Sequence, residues 1–354
     1  MQRLSARRAG WIRHSLFIVS FILVGIDWPS ALGQTAAEVD LPTGGLSLPV
    51  DCQIGTTCWI LNYFDATGDV GRDFRCHART YAAHDGIDFA IRDMQTMAKG
   101  VVVVASAAGL VVGVRDGQPD GAYIEGGQAA VRGSECGNGV LLDHGGGWQT
   151  QYCHLRRGSV AVHKGDHVGR GVQLGLVGLS GRTEFPHAHL TVRQNGVALD
   201  PFTGRRSSAD ACGGTDLPAN ALWRPDVKLA YSDFDIYAGG FSDHPPNLVE
   251  LRTDASGAAA LPRTVERLLF WAAVMGVEAG DRVAMEITDP SGAMVAQQRT
   301  EIQRTQAWFE LFTGRKSTVG QSWAPGLYRG VVIIERTSAG RTLRQQLESA
   351  TRLQ

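Results

Sequence analysis

From residue 77 onward, short apolar runs alternate with glycine, a rhythm that predicts strands joined by tight turns rather than a helical bundle. The β-branched runs at 101–105 and 109–114 read as buried neighbouring strands joined by a short turn of small residues. Residues 139–143 and 148–153 read as two strands around Gly145-Gly146-Gly147, with Trp148, Thr150, Tyr152 and His154 on one face. Apolar positions alternate with turn glycines at 165–168 and 171–175, and a strand at 190–193 is closed by Asn195-Gly196. Two stretches lack this rhythm, one before residue 77 and one after it. Residues 52–76 read as irregular, crosslinked surface structure. The polar, glycine-rich connection 115–135 is long enough to expect a functional segment, such as a groove wall, or a disordered one. Beyond Cys212 the character shifts. Pro218, Pro225, Pro245 and Pro246 precede β-like runs at 268–274, 282–287, 308–312 and 330–334, which predict a second, sandwich-like domain.

The chain is therefore expected to be mainly β. It divides into a leader at 1–33, a cysteine-containing extension at 34–76, a β domain at 77–212, a linker at 213–224 and a β-rich C-terminal domain at 225–354. With 44% hydrophobic and 19% charged residues there is material for packed cores. A net charge of −1 with no basic stripe argues against nucleic acid as a partner.

The leader reads as a signal peptide. Arg3, Arg7, Arg8 and Arg13 precede an apolar run at 16–26, and Ala31-Leu32-Gly33 offers small residues for cleavage before Gln34. Eleven apolar residues fall short of the about 20 a membrane-spanning helix needs, so no stable span is expected after cleavage. Cleavage leaves 30 basic against 34 acidic residues, net −4, so an anionic partner would gain no long-range attraction and would be bound by shape and hydrogen bonds. The chain is expected to be exported, either periplasmic or secreted. Six cysteines without a CxxC spacing favour disulfides over a zinc cluster. The hairpin brings Cys136 and Cys153 together as one pair.

Two motifs a hundred residues apart carry chemistry: His84-Asp85-Gly86-Ile87-Asp88 and His187-Ala188-His189. Ile87, Phe89 and Ile91 alternate with Asp88 and Ala90, which sets Asp88 on the face opposite the apolar set. His187 and His189, two apart, project from one face of a strand. Two imidazoles and a carboxylate can hold Zn²⁺ with an open fourth position, and that leaves one histidine over to act on substrate. His154, ending Tyr152-Cys153-His154, is a candidate acid–base partner.

The ordered set resembles the lysostaphin-type (LytM-like) zinc metallopeptidases. It runs from His84–Asp88 through Asp143-His144-Gly145, Tyr152-Cys153-His154-Leu155 and Gly165-Asp166-His167-Val168 to Pro186-His187-Ala188-His189-Leu190 and Asp200-Pro201. The resemblance implies a lysostaphin-type β-sheet peptidase domain with one Zn²⁺ per chain held by His84, Asp88 and His189. It implies His154 and His187 as the catalytic histidines and hydrolysis of peptide crosslinks between the stem peptides of bacterial peptidoglycan. Glu184-Phe185 departs from the small, glycine-containing approach usual before Pro186, and Ala188 stands where leucine is common. Neither removes a ligand.

The alternative reading is a non-catalytic wall-binding regulator of other wall hydrolases; the complete ligand set favours catalysis. A purely structural zinc is disfavoured because such sites have four protein ligands. His144 reads as a hairpin-stabilising residue, and His77, His163, His167 and His244 as exposed or structural. Trp271, Trp308, Trp323 and Tyr328 read as core residues or part of a binding face.

Overall fold

The structure, a computed structural model, describes residues 44–209, 211–213, 221–338 and 340–354. The leader expected at 1–33 lies outside them. The first half comprises β1 (Cys58–Asn62), β2 (Ile87–Ile91), α1 (Met94–Lys99), β3 (Val102–Val104), β4 (Gly109–Arg115), α2 (Ala122–Val131), β5 (Asn138–Asp143), β6 (Trp148–Leu155), β7 (His167–Val168), β8 (Gln173–Leu176), β9 (His187–Gln194) and β10 (Val197–Leu199). Its main sheet runs β1-β2-β9-β6-β5-β4-β7, with β10 added to β9. Alternation sorts each strand. Ile87, Phe89 and Ile91 join Ala188, Leu190 and Val192 in one apolar core, leaving Asp88, His187 and His189 on the opposite face. At the β9–β10 hairpin, Asn195 and Gly196 both take positive φ (50° and 80°), the conformation expected of an Asn-Gly turn.

Two expectations do not hold. The runs at 101–105 and 109–114 do not pair with each other: β3 pairs with β8, and β4 lies between β5 and β7. Between them the Ala105 N–H donates to Val172 O and the Ser106 N–H to the Tyr152 hydroxyl, so the connection crosses between sheets instead of closing a hairpin. Residues 52–76 are not all irregular surface, since β1 within them is a fully buried strand of the main sheet. Segment 115–135 contains α2, interrupted at Gly127.

The second half comprises β11 (Asp235–Ser242), α3 (Leu248–Thr253), β12 (Ala260–Leu261), β13 (Arg267–Val277), β14 (Arg282–Thr288), β15 (Met294–Glu301), β16 (Gln306–Lys316), β17 (Gly326–Ser338) and β18 (Arg341–Leu353). Sheets β11-β13-β16 and β12-β18-β17-β14-β15 enclose a core of Phe270, Val274, Met285, Ile287, Val332 and Ile334, the sandwich the sequence predicts. Trp271, Trp323 and Tyr328 are buried, in keeping with their reading as core residues. Strand β13 is buried on both faces. Leu268, Phe270, Ala272 and Val274 enter the sandwich core, while Trp271, Ala273 and Met275 join Trp59, Leu61, Ala90 and Phe185 of the first half.

Polar ties reinforce that junction. The Asp93 carboxylate accepts from the Thr96 N–H at the start of α1 and from the Ala255 N–H just past α3. Buried Arg79 donates to Ser232 O and pairs with Asp235. Three disulfides link Cys52–Cys58, Cys76–Cys212 and Cys136–Cys153, the last being the pair expected from the hairpin. Among the described residues, no helix is long and apolar enough to cross a membrane.

Candidate metal centre and its histidines

Strands β2 and β9 pair so that Asp88 stands opposite His189 and Ala90 opposite His187. His84 enters from the turn before β2. Its Nδ1–H donates to Tyr63 O at 2.6 Å, since a carbonyl can only accept, and this leaves Nε2 facing the carboxylate. Asp88 Oδ1 lies 3.1 Å from His84 Nε2 and 2.8 Å from His189 Nδ1, and the two nitrogens are 3.2 Å apart. These three donors lie within 4.8 Å of one another, a group able to hold a metal ion. Gly86 makes the approach possible. A Cβ there would sit 2.4 Å from Leu190 O and 2.6 Å from His189 Nε2, so any side chain would displace the ring.

Outer partners orient each donor. Asn62 Nδ2 donates to Asp88 Oδ2 at 2.8 Å, and His189 Nε2 meets Thr191 Oγ1 at 2.9 Å and Asp85 Oδ1 at 3.3 Å. Arg193 holds Asp85 in turn at 3.0 Å. Asn62 and Asp85 were not singled out by the sequence. Asp85 lies inside the first motif, but Asn62 sits in a segment with no motif to mark it.

His187 donates its Nδ1–H to Phe185 O at 2.7 Å, with Thr183 Oγ1 3.1 Å away, and its Nε2 is 3.3 Å from Asp88 Oδ1. His154 donates Nδ1–H to Ser180 O at 2.8 Å, and its ring centre is 4.7 Å from that of His187. The structure thus brings all five residues together, each at most 8% exposed. The route for His154 differs from expectation. It does not continue the face of Trp148, Thr150 and Tyr152, which looks into the core. A register shift between β5 and β6 and a left-handed backbone (φ 62°) turn His154 onto the metal face, where Cys153 stands opposite His189.

Electrostatics follow from burial against charge. Burial works to raise the Asp88 pKa, but the surrounding His84, His187 and His189 rings outweigh it and hold the carboxyl well below the usual range. Burial, reinforced by the neighbouring His187 and His189 rings, holds His154 well below an ordinary histidine. Burial opposes charge on His189, yet Asp85 and Asp88 raise its pKa to about 9. The negative field that retains a proton there also favours a divalent cation. Two imidazoles and a carboxylate with their outer atoms engaged match the donor chemistry of Zn²⁺.

Of the remaining histidines, His144 is buried beneath the β5–β6 hairpin between Ala108 O and Thr150 Oγ1, as a structural residue. His77 pairs with Glu278, and His163 and His244 with exposed carboxylates.

Fold and site define a β-sheet domain built around a candidate His-Asp-His metal centre. Residues 82–201 match the model for Peptidase family M23, which meets the lysostaphin-type resemblance read from the sequence. Peptidoglycan DD-endopeptidase ShyA of Vibrio cholerae is 34% identical over 108 residues, covering 30% of this chain and 20% of ShyA. DD-carboxypeptidase/endopeptidase Mpg of Neisseria meningitidis is 32% identical over 134 residues, covering 37% of this chain and 25% of Mpg. The chain thus spans a quarter or less of the length of these relatives. Among solved structures, the catalytic domain of lysostaphin from Staphylococcus simulans is 22% identical, with a TM-score of 0.26, covering 40% of this chain and 85% of that one.

Proposed function

We propose that this chain is an exported, zinc-dependent endopeptidase that hydrolyses peptide crosslinks of bacterial peptidoglycan. The observation that carries the reading is the convergence of His84 Nε2, Asp88 Oδ1 and His189 Nδ1 on one sheet face, with His187 and His154 beside them. ShyA and Mpg, named for endopeptidase activity, support the substrate class, and three disulfides support an oxidising compartment.

His84, Asp88 and His189 would hold the ion. Bound Zn²⁺ supplies Lewis acidity and lowers the pKa of water to about 7. The carbonyls of Phe185 and Ser180 keep the protons of His187 and His154 on Nδ1, which leaves Nε2 of each ring able to accept a proton. These nitrogens take the proton of the attacking water and return it to the departing amine. The low pKa of His154 keeps that ring neutral and ready to accept at neutral pH.

The test is digestion of purified sacculi by the mature protein, with and without a zinc chelator, and muropeptides identified by mass spectrometry. Chelator-sensitive conversion of crosslinked dimers to monomers is the expected result. No release from several wall types by zinc-loaded protein would refute the proposal.

A further inference from the structure

The metal-bearing face of the main sheet does not end at the histidines. Asp88 is followed on that face by Ala90, which pairs with His187 on β9 and with Trp59 on β1. Ala90, Trp59 and Leu61 are buried under Tyr237, Ala238, Trp271 and Ala273 of the sandwich. The sandwich therefore rests on the sheet face that carries the candidate site, one residue pair beyond the ligands.

Phe185 is the point where the two meet. It stands where a smaller residue was expected, two positions before His187, and is buried. Its ring lies edge-on to Trp308 at 4.5 Å and to Tyr237 at 6.1 Å. Trp308 is itself held: its indole N–H donates to the Tyr237 hydroxyl, and the Arg252 guanidinium sits 5.4 Å over its ring. The carbonyl of this same Phe185 accepts the His187 Nδ1–H and the Thr183 hydroxyl. Pro186 restricts the backbone between them. The Pro186 carbonyl then accepts from the Ile91 N–H, so the tripeptide is anchored at both ends.

We infer that the C-terminal sandwich is a built-in part of the active site: Trp308 and Tyr237 clamp Phe185 and thereby fix the carbonyl that orients His187. They are positioning residues, acting through Phe185 and not on substrate. A change at Trp308 is transmitted as a displaced hydrogen-bond acceptor, which frees the His187 ring to rotate or exchange tautomers. The inference rests on the proposed hydrolytic role of His187, but the orientation of that ring can be measured apart from turnover.

The experiment compares the full wild-type chain with Trp308→Ala, Trp308→Phe and Val332→Ala. The last weakens the sandwich core away from Phe185. Long-range ¹H–¹⁵N spectra of the imidazoles report the His187 tautomer, and muropeptide release reports kcat and KM. Wild type and Trp308→Phe are expected to hold His187 as a single Nδ1–H tautomer. Trp308→Ala is expected to mix tautomers and lower kcat on the order of 10–100-fold with little change in KM. An unchanged His187 signal in folded Trp308→Ala would overturn the inference. So would an equal loss in Val332→Ala at a matched fall in Tm. If wild type releases nothing from any wall, the proposed function falls, while the His187 spectra still decide this one.

Discussion

Asp88 and His189 are directly opposed on β2 and β9, with His189 Nδ1 2.8 Å from Asp88 Oδ1. They lie 101 residues apart in sequence, so this candidate pair exists only once the two strands have paired. His84 completes the group from one turn earlier. His187, two residues before His189, reaches Asp88 from the same face at 3.3 Å.

That division predicts two classes of variant. His84→Ala, Asp88→Ala and His189→Ala each remove a converging donor and should lose both metal and turnover. His187→Ala leaves all three donors in place, so it should keep zinc while losing turnover by roughly 10²–10⁴-fold. Inductively coupled plasma mass spectrometry of the purified variants, run beside muropeptide release, separates the classes. A metal-replete His189→Ala protein would refute the ligand assignment.

Asn62 should matter without touching metal. Its amide donates to the outer oxygen of Asp88 at 2.8 Å in a buried setting and fixes which oxygen turns inward. Asn62→Ala frees the carboxylate to rotate and should weaken zinc affinity by about 10–100-fold. Competition against a chromophoric chelator measures this. Unaltered affinity would show that the β2–β9 pairing alone holds Asp88.

How much of this was legible depended on whether strand alternation held. It held at β2 and β9, so spacing set Asp88 on the polar face of its own strand and His187 and His189 together on one face of theirs, while the pairing that joins the two faces was implied only by the resemblance. It failed at His154, where a non-glycine residue takes φ 62° at a bulge that no local residue type announces. Asn62 was hidden because its role comes from the partner strand. In the second half, β18 escaped notice because its exposed positions alternate with half-buried ones along most of its length, several of them polar. One signal was present but unread. The continuous apolar run of β13 implies two buried faces, and the second faces Trp59, Ala90 and Phe185. A contact between the halves was thus written in the sequence.

Asp200 supplies a pH test of stability. Burial raises its pKa to about 7, against the opposing Phe202 N–H and Thr203 hydroxyl. The unfolded value is about 3.9, so the native state holds a proton the unfolded chain has released between those limits. This contribution is fully present below about pH 4 and is lost as pH rises through about 7, costing up to about 4 kcal/mol. Asp200→Asn removes the titration. Its Tm relative to wild type should therefore rise from pH 5 to pH 8 in thermal melts. A constant difference across that range would refute the assignment.

The two larger disulfide loops should differ in what they protect. Cys136–Cys153 abuts the site: Cys153 precedes His154, and the Cys136 carbonyl accepts the His154 N–H at 2.8 Å. The bridge therefore braces the left-handed backbone that turns His154 toward His187. Cys76–Cys212 closes a longer loop, with a separation of 136 residues against 17, and neither of its cysteines is next in sequence to His84, Asp88, His154, His187 or His189. Replacing either pair by serine should cost stability, about 2–5 kcal/mol. Only the Cys136→Ser/Cys153→Ser protein should also lose kcat when assayed well below its Tm, because an unbraced His154 can relax to an ordinary β conformation and swing toward the core. Equal kcat in the two double variants would mean that the Ser180 hydrogen bond is sufficient to hold the ring.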